Sequence, residues 1–217
     1  RSIYSIGITG NNKKKLSKNK GTNSAVFSSS FQYYINTFSS TDRPFVYTLN
    51  DSSTGVVIKE IKNNDALKAK TGLYRVPEKE ISVLQTKNGD FNMLMMKPND
   101  FDPSKEYPLL MYQYSGPGSQ SVSNSWYNHR DFFHATLVQE GFIVAIVDGR
   151  GTGFKGRDFK KTTYKQLGKY EVEDQIEAAL VLGKEPFIDE DRIGIWGGSY
   201  GGYMSCLAIT KGAEVFK

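Results

Sequence analysis

One stretch decides the fold of this 217-residue chain: Ile193-Gly194-Ile195-Trp196-Gly197-Gly198-Ser199-Tyr200-Gly201-Gly202. Apolar residues alternate with glycine before a glycine-rich turn, and a helical pattern follows in residues 203–209. The pattern predicts a buried strand, a sharp turn and a helix, with Ser199 at the apex of the turn. Strand and helix approach so closely in such a turn that a Cβ would not fit beside the serine. The arrangement is typical of a nucleophile elbow, which presents a serine hydroxyl for attack on a carbonyl.

The helix after Ser199 is predicted to turn Met204, Leu207 and Ala208 towards the core. Cys206 lies on the same helix and is also expected to pack in the core. It is the single cysteine of the chain, so the sequence defines no disulfide framework.

A serine hydroxyl is a poor nucleophile at neutral pH, and it needs a base that is itself oriented by an acid. In proteins with this elbow, the acid and then a histidine follow the serine along the chain. The two histidines here, His129 and His134, both precede Ser199, and their spacing indicates a surface helix rather than a catalytic or metal site. After Ser199 the chain has one acid, Glu214, and no histidine. We therefore expect the catalytic triad to be incomplete in this chain.

The composition indicates a globular protein, because 38% of the residues are hydrophobic and 13% are aromatic. No apolar run approaches the length of a membrane-spanning helix. No signal peptide is present either. Since the chain opens with Arg1 rather than methionine, we expect it to be an internal piece of a longer parent protein.

The net charge of +5 is unevenly distributed, because residues 1–41 hold six cations and no acid while the rest of the chain is nearly balanced. The cluster between Lys13 and Lys20 could be a patch for nucleic acid or membrane. It could also be a solvated loop between two strands, an interpretation that Asn11-Asn12 before it and Gly21 after it favour. We therefore expect no nucleic-acid partner.

Residues 1–62 consist of short segments that alternate apolar and polar residues and are separated by polar turns such as residues 51–55. Spacing of this kind predicts an antiparallel meander, as in a blade of a β-propeller. Such strands with no closing partner would leave an exposed edge, so we expect them to be the end of a larger propeller. The predicted strands are Ser2–Gly7, Ser24–Ser28, Phe31–Phe38, Phe45–Leu49 and Val56–Ile61.

Residues 63–217 begin with a short helix over residues 63–70, and a β-hairpin around Asn88-Gly89 follows. The pattern then alternates strands and helices, which predicts parallel strands. The predicted elements after the hairpin are the strand Pro108–Tyr114, the helix Arg130–Gln139, the strand Phe142–Val147, the helix Leu167–Leu182 and the strand Ile193–Gly197. The helix Leu167–Leu182 is expected to bury Val172, Ile176, Ala179 and Leu180. The fold class is α/β, with the N-terminal part of an α/β-hydrolase sheet preceded by the propeller strands.

Tyr114 is the second residue with a predicted chemical role. Because the carboxyl ends of parallel strands gather at one edge of a sheet, Tyr114 and Ser199 are expected to lie at the same edge. The oxyanion of an acyl-transfer intermediate needs hydrogen-bond donors there. We expect the backbone N–H of Tyr200 to be one donor and the phenol of Tyr114 to be the other. The alternative is that Tyr114 is an aromatic residue that caps the end of its strand.

Four motifs occur in the order found in the prolyl oligopeptidase family of serine peptidases, which the chain resembles over nearly its whole length. They are Tyr114-Ser115-Gly116-Pro117-Gly118-Ser119-Gln120, Asp148-Gly149-Arg150-Gly151-Thr152-Gly153, Glu171-Val172-Glu173-Asp174-Gln175 and Gly197-Gly198-Ser199-Tyr200-Gly201-Gly202-Tyr203. The resemblance implies that Ser199 is the nucleophile, Tyr114 the oxyanion tyrosine and Tyr200 the backbone donor. The second and third motifs are interpreted as structural, since charged groups there can tie loops to the sheet. No metal and no cofactor are implied.

The resemblance further implies an exopeptidase that removes N-terminal dipeptides after a penultimate proline through an acyl-enzyme. Peptides would be its substrates, and the parent protein would be a homodimer in the periplasm, secreted or at the cell surface. This chain alone would be inactive, although it could associate with the missing remainder of the parent.

Two alternatives stay open. The dipeptide-releasing branch of the family commonly has tryptophan where this chain has Gly198, and glycine is more typical of oligopeptidase and acylaminoacyl peptidase relatives. The run from Gly116 to Gln120 favours the dipeptide-releasing branch. Outside the enzymes, the chain could belong to an inert, peptidase-like binding module that has lost its triad.

Overall fold

The computed structural model describes residues 1–217, which form two compact units. The first unit comprises Arg1–Val76 and Ser123–Arg130, and the second comprises Pro77–Val122 and Asp131–Lys217. The domain boundary proposed after residue 62 stays a prediction. None of the helices is long and apolar enough to cross a membrane.

The first unit is built on a four-stranded antiparallel meander, which confirms the predicted propeller-blade pattern. Its strands, in spatial order, are β3 (Thr22–Phe27), β4 (Tyr33–Ser40), β5 (Arg43–Asp51) and β6 (Val57–Lys62). The first predicted strand was too long. Only β1 (Tyr4–Ser5) is extended there, and it pairs with β2 (Lys14–Lys15) outside the meander, so part of the lysine cluster is a strand.

The turn between β5 and β6 is stabilised by Asp51, whose Oδ1 accepts hydrogen bonds from both the N–H and the hydroxyl of Ser53 and Thr54. These donors favour the charged carboxylate, and they lower the pKa of Asp51 to about 2. These hydrogen bonds to Asp51 explain why the polar run over residues 51–55 forms a turn, as predicted.

Two further segments pack with the meander of the first unit. The short helix α1 (Asp65–Gly72) follows Asn64, whose side chain donates a hydrogen bond to Phe45 O (2.7 Å). Residues 123–130 return from the second half of the chain, and Asn124 Oδ1 there accepts a hydrogen bond from the Thr41 N–H (2.9 Å). The Trp126 N–H also donates a hydrogen bond to Ser39 Oγ (3.2 Å), and the sequence did not predict this return, because these contacts join residues more than 80 positions apart.

The second unit contains a five-stranded mixed sheet that opens with an antiparallel hairpin and continues in parallel, which confirms the predicted α/β-hydrolase start. The hairpin closes where Thr86 pairs with Gly89, as the Asn-Gly signal indicated. The strands, in spatial order, are β7 (Glu80–Thr86), β8 (Gly89–Met96), β10 (Ile143–Asp148), β9 (Tyr107–Tyr112) and β11 (Ile188–Trp196).

Four helices accompany this sheet, and one of them was not predicted from the sequence. They are α2 (His129–Gln139), α3 (Arg157–Lys161), α4 (Tyr170–Leu182) and α5 (Tyr200–Lys211), and α3 is the unpredicted one. The core between the sheet, α4 and α5 is apolar. Its fully buried members include Phe91, Met111, Ile143, Val147, Ala179, Leu182, Ile193, Met204 and Ala208.

Three predictions of burial were wrong. Leu180 is exposed, because the buried face of α4 is centred on Gln175 and Leu182, on the other side of the helix. Cys206 is also exposed, because it lies about 200° around α5 from the buried Met204. His134, assigned to a surface helix, is fully buried.

Candidate active site

The turn between β11 and α5 has the conformation expected of a nucleophile elbow. Ser199 lies between the two elements with φ 56° and ψ −121°, a backbone region that residues other than glycine seldom adopt. Its side chain is exposed to solvent. A non-glycine residue held in such a conformation stores strain, and strained residues of this kind cluster at functional sites.

The glycines around Ser199 differ in how closely other atoms approach them. A Cβ added to Gly197 or to Gly201 would come within 3.0 Å of the carbonyl oxygen of Gln113. A Cβ added to Gly198 would meet nothing within 4 Å. The close packing of strand and helix therefore requires Gly197 and Gly201, whereas the position of Gly198 has room for a side chain.

Tyr114 lies at the same edge of the sheet as the elbow. β9 ends at Tyr112, two residues earlier than predicted, so Tyr114 belongs to the loop that follows the strand. Its ring centroid lies 6.1 Å from the ring centroid of Tyr200, the residue after Ser199. A Cβ on Gly116 would come within 3.0 Å of the Tyr114 ring, so this glycine leaves space for the ring. The structure thus brings Tyr114 and Tyr200 together, while their oxyanion roles stay predictions.

The loop after Tyr114 is held by the buried carboxylate of Asp148, which ends β10. Asp148 accepts hydrogen bonds from the N–H of Ser121 (3.0 Å to each oxygen) and from the N–H of Val122 (2.8 Å). Burial nevertheless raises the pKa of Asp148 to about 6, against the opposing effect of these donors. The carboxylate ties the Tyr114 loop to the neighbouring strand, as the structural interpretation of this motif expected.

A second carboxylate, Asp174 of α4, holds the loop that follows Asp148. Asp174 accepts hydrogen bonds from the backbone N–H of Arg150 (2.7 Å) and from its guanidinium (2.6 to 3.0 Å). These hydrogen bonds raise the pKa of Arg150 above its usual value. The guanidinium also lies over the ring of Tyr170, 4.7 Å from its centroid. The structural interpretation of the 171–175 motif is therefore also confirmed.

The side chain of Tyr200 has a contact that the sequence analysis missed. Its hydroxyl donates a hydrogen bond to Glu171 Oε1 (2.7 Å), and Glu171 Oε2 accepts another from the N–H of Gly168 (3.0 Å). Burial, followed by the hydrogen bond to the nearby carboxylate, raises the pKa of Tyr200. The elbow is thereby joined to the start of α4. Only the two motifs together could have suggested the pair, because Glu171 and Tyr200 are 29 residues apart.

The two histidines have different surroundings. His129 begins α2 and is exposed. His134 is buried among aromatic rings, with centroid distances of 5.3 Å to Tyr112 and 5.5 Å to Trp196. The structure contains no cluster of three or more His, Cys, Asp or Glu side chains that could hold a metal ion.

Comparison with family models gives two matches that follow one another along the chain. A model described as the dipeptidyl peptidase IV N-terminal region matches residues 1–45. A model described as the prolyl oligopeptidase family matches residues 123–217, which include the elbow.

Individual relatives agree with these matches. Prolyl endopeptidase FAP of Mus musculus is 42% identical over 79% of this chain and 22% of its own length. Dipeptidyl peptidase 4 of Trichophyton equinum is 35% identical over 100% of this chain and 28% of its own length. The crystal structure of Porphyromonas gingivalis dipeptidyl peptidase 4 has a TM-score of 0.93 and 44% identity, over 100% of this chain and 30% of that one. The chain thus spans about a quarter of the length of the curated relatives it matches.

Proposed function

This chain belongs to the prolyl oligopeptidase family of serine peptidases, and we propose that it is part of a longer parent protein that releases N-terminal dipeptides after a penultimate proline. The observation that carries the proposal is the strained backbone of Ser199 at the β11–α5 turn, with Tyr114 and Tyr200 side by side at the same sheet edge. The likeness to a dipeptidyl peptidase 4 structure over the whole chain supports the choice of substrate.

In the proposed mechanism, Ser199 Oγ attacks the carbonyl carbon of the scissile bond and gives its proton to a histidine base. The carbonyl oxygen becomes an oxyanion, which accepts hydrogen bonds from the Tyr200 N–H and the Tyr114 hydroxyl. The intermediate collapses, the bond to nitrogen breaks, and the base protonates the departing amine. Water then attacks the acyl-enzyme, and the dipeptide leaves with its new carboxylate while Ser199 regains its proton.

We propose that the chain does not supply the base itself, because both of its histidines precede Ser199 and one of them is buried among aromatic rings. The base and its orienting acid would then come from the rest of the parent protein. The loss of a triad base lowers the rate by several orders of magnitude, so this chain alone should be inactive.

Hydrolysis of a glycyl-prolyl anilide with a free amino terminus, compared with its N-blocked form, tests the substrate class. We expect the parent protein to cleave the free dipeptide anilide and to cleave the blocked one at least tenfold more slowly. A parent protein that prefers the blocked substrate would contradict the dipeptidyl proposal while leaving a serine peptidase in place.

An endopeptidase or oligopeptidase that cleaves after proline is the second candidate. Two observations favour it: a relative named prolyl endopeptidase is 42% identical to this chain, and Gly198 is a departure from the dipeptide-releasing branch. Acylaminoacyl peptidase activity belongs to the same alternative. An inert binding module is the third candidate, and the parent protein would then hydrolyse neither anilide.

We further propose that the parent protein is a homodimer located in the periplasm, secreted or at the cell surface, and that this chain can associate with the remainder of the parent. These proposals rest on the family resemblance alone. Sedimentation of the parent protein tests the dimer, and cell fractionation tests the location. Mixing this chain with the separately produced remainder tests the association, because a stable complex would elute as one species.

A further inference from the structure

Gln113 is a buried polar residue that the sequence analysis did not single out. It directly precedes Tyr114, and none of its surface is exposed to solvent. Its amide nitrogen donates a hydrogen bond to the carbonyl oxygen of Gly201 (2.7 Å) and a longer one to Ser205 Oγ (3.3 Å). Both acceptors belong to α5, the helix that begins directly after Ser199. The side chain therefore joins the strand end that carries Tyr114 to the helix of the elbow.

The backbone of Gln113 contacts the elbow as well. Its N–H donates a hydrogen bond to the carbonyl oxygen of Trp196 (3.1 Å), the last residue of β11. Its own carbonyl oxygen occupies the space beside Gly197 and Gly201 that a Cβ would need. A Cβ on Gly201 would also lie 3.2 Å from the Cα of Tyr114. One residue thus contacts both the strand before Ser199 and the helix after it.

The chemistry of the partners fixes how the Gln113 amide is oriented. The carbonyl oxygen of Gly201 can only accept, so the NH2 group faces it. The Ser205 hydroxyl also donates to this carbonyl (2.9 Å), which leaves its oxygen free to accept from Gln113. At the other end of the amide, Gln113 Oε1 is buried and has no hydrogen-bond partner in the structure. A buried unpaired carbonyl is unfavourable, and its cost offsets part of what the two donated hydrogen bonds contribute to stability.

We propose that Gln113 is a positioning residue, which sets the place of Tyr114 relative to Ser199 by tying the end of β9 to the first turns of α5. The inference rests on the proposed function, because it assigns Tyr114 and the Tyr200 N–H to the oxyanion. Donors stabilise an oxyanion only when they lie about 3 Å from it, and a displacement of about 1 Å can lower the rate by about a hundredfold. Gln113 itself touches no reacting atom.

The test is Gln113→Met in the parent protein, because methionine is unbranched and of similar length but cannot donate a hydrogen bond. We expect kcat for the glycyl-prolyl anilide to fall by about 10-fold to 100-fold while KM changes by less than about threefold. The second-order rate of fluorophosphonate labelling should fall by a similar factor. The urea midpoint of unfolding should change little, since removal of the unpaired Oε1 offsets the loss of the donated hydrogen bonds.

Met111→Leu is the matched control. Met111 is also fully buried on β9, but its side chain packs in the apolar core and donates no hydrogen bond to the elbow. A volume-conserving change there tests whether any disturbance of the strand lowers the rate. We expect its kcat to stay within about twofold of the wild type. A second variant, Gln113→Asn, keeps the amide but shortens its reach, and it should lose rate as Gln113→Met does.

The outcomes separate this inference from the proposed function. If the wild type is active and both Gln113 variants keep its kcat, the positioning role is wrong and the proposed function stands. If Met111→Leu loses as much rate as Gln113→Met, the effect is one of packing and the positioning role is again wrong. If the wild-type parent neither hydrolyses the anilide nor labels, the proposed function fails and the positioning role fails with it.

Discussion

Ser199 has a backbone conformation that glycine adopts far more readily than serine, with φ 56° and ψ −121°. The surrounding packing holds it there, because the carbonyl oxygen of Gln113 fills the space beside Gly197 and Gly201. The glycine pattern was sufficient to predict this turn. It could not predict that Gln113 and the hydroxyl of Tyr200 would hold the turn in place, because both contacts join residues distant in the chain.

The backbone strain at Ser199 should lower the free energy of unfolding, and the difference between two variants at this position should reveal it. We expect Ser199→Gly to unfold with a free energy about 1 kcal/mol higher than Ser199→Ala. Strain of this kind costs about 1–3 kcal/mol, and the greater freedom of glycine in the unfolded chain offsets about 0.5–1 kcal/mol of the gain. Urea unfolding of the two variants measures the difference, and the serine hydroxyl is absent from both. A glycine variant about 1 kcal/mol less stable than the alanine variant, the difference that glycine's freedom in the unfolded chain alone would give, would mean that the backbone is not strained there.

At the scale of elements, carboxylates at strand and helix ends fix the loops of the site. Asp148 at the end of β10 holds the loop after Tyr114, and Asp174 of α4 holds the loop of Arg150. The sequence indicated that these charged motifs are structural. It could not indicate which backbone groups they bind, because each pairing depends on the order of the strands in the sheet.

The burial of Asp148 predicts a pH dependence of stability. Its pKa of about 6 in the folded state lies above the usual value of 3.8, so folding favours the protonated form. The resulting stabilisation is fully present only below the unfolded pKa of 3.8, and it is lost as the pH rises through 6. We expect the free energy of unfolding of the wild type, relative to Asp148→Asn, to fall by about 2.4 kcal/mol between pH 4 and pH 7. Urea unfolding at a series of pH values measures this difference.

Asp51→Asn is a control, because the pKa of Asp51 is shifted in the opposite direction to that of Asp148. The pKa of Asp51 is lowered to about 2, so its stabilisation is present above pH 3.8 and is lost as the pH falls towards 2. The free energy of unfolding of the wild type, relative to that of Asp51→Asn, should therefore not change between pH 5 and pH 7. If the free energy of unfolding of the wild type relative to Asp148→Asn is also constant between pH 5 and pH 7, burial does not raise the pKa of the Asp148 carboxyl.

At the scale of the whole molecule, the chain carries the Ser199 turn and the Tyr114 loop within about a quarter of the length of its curated relatives. One family model matches residues 1–45, within the first compact unit, and the other matches residues 123–217, most of which lie in the second. Residues 123–130 nevertheless pack with the first unit. A division of the chain by sequence order alone could not have placed them there.

A fluorophosphonate probe tests whether this chain contains an activated serine. We expect the chain alone to label at least a thousandfold more slowly than the parent protein, because in the proposed mechanism the base that removes the Ser199 proton comes from outside this chain. Ser199→Ala in the parent should abolish labelling at the site. Rapid labelling of the chain alone would contradict the proposal that the base lies outside it.

The sequence by itself determined the order and type of most elements, the elbow at Ser199 and the family. These features depend on local patterns: apolar periodicity, the Asn-Gly hairpin signal and the glycines of the turn. Only the tertiary structure decided the burial of His134, the exposure of Cys206 and Leu180, and the links from Gln113 and Glu171 to the elbow. The physical reason is that burial and hydrogen bonding depend on which surfaces meet after folding. A periodic pattern shows that a helix has an apolar face, but the neighbouring elements decide where that face is centred.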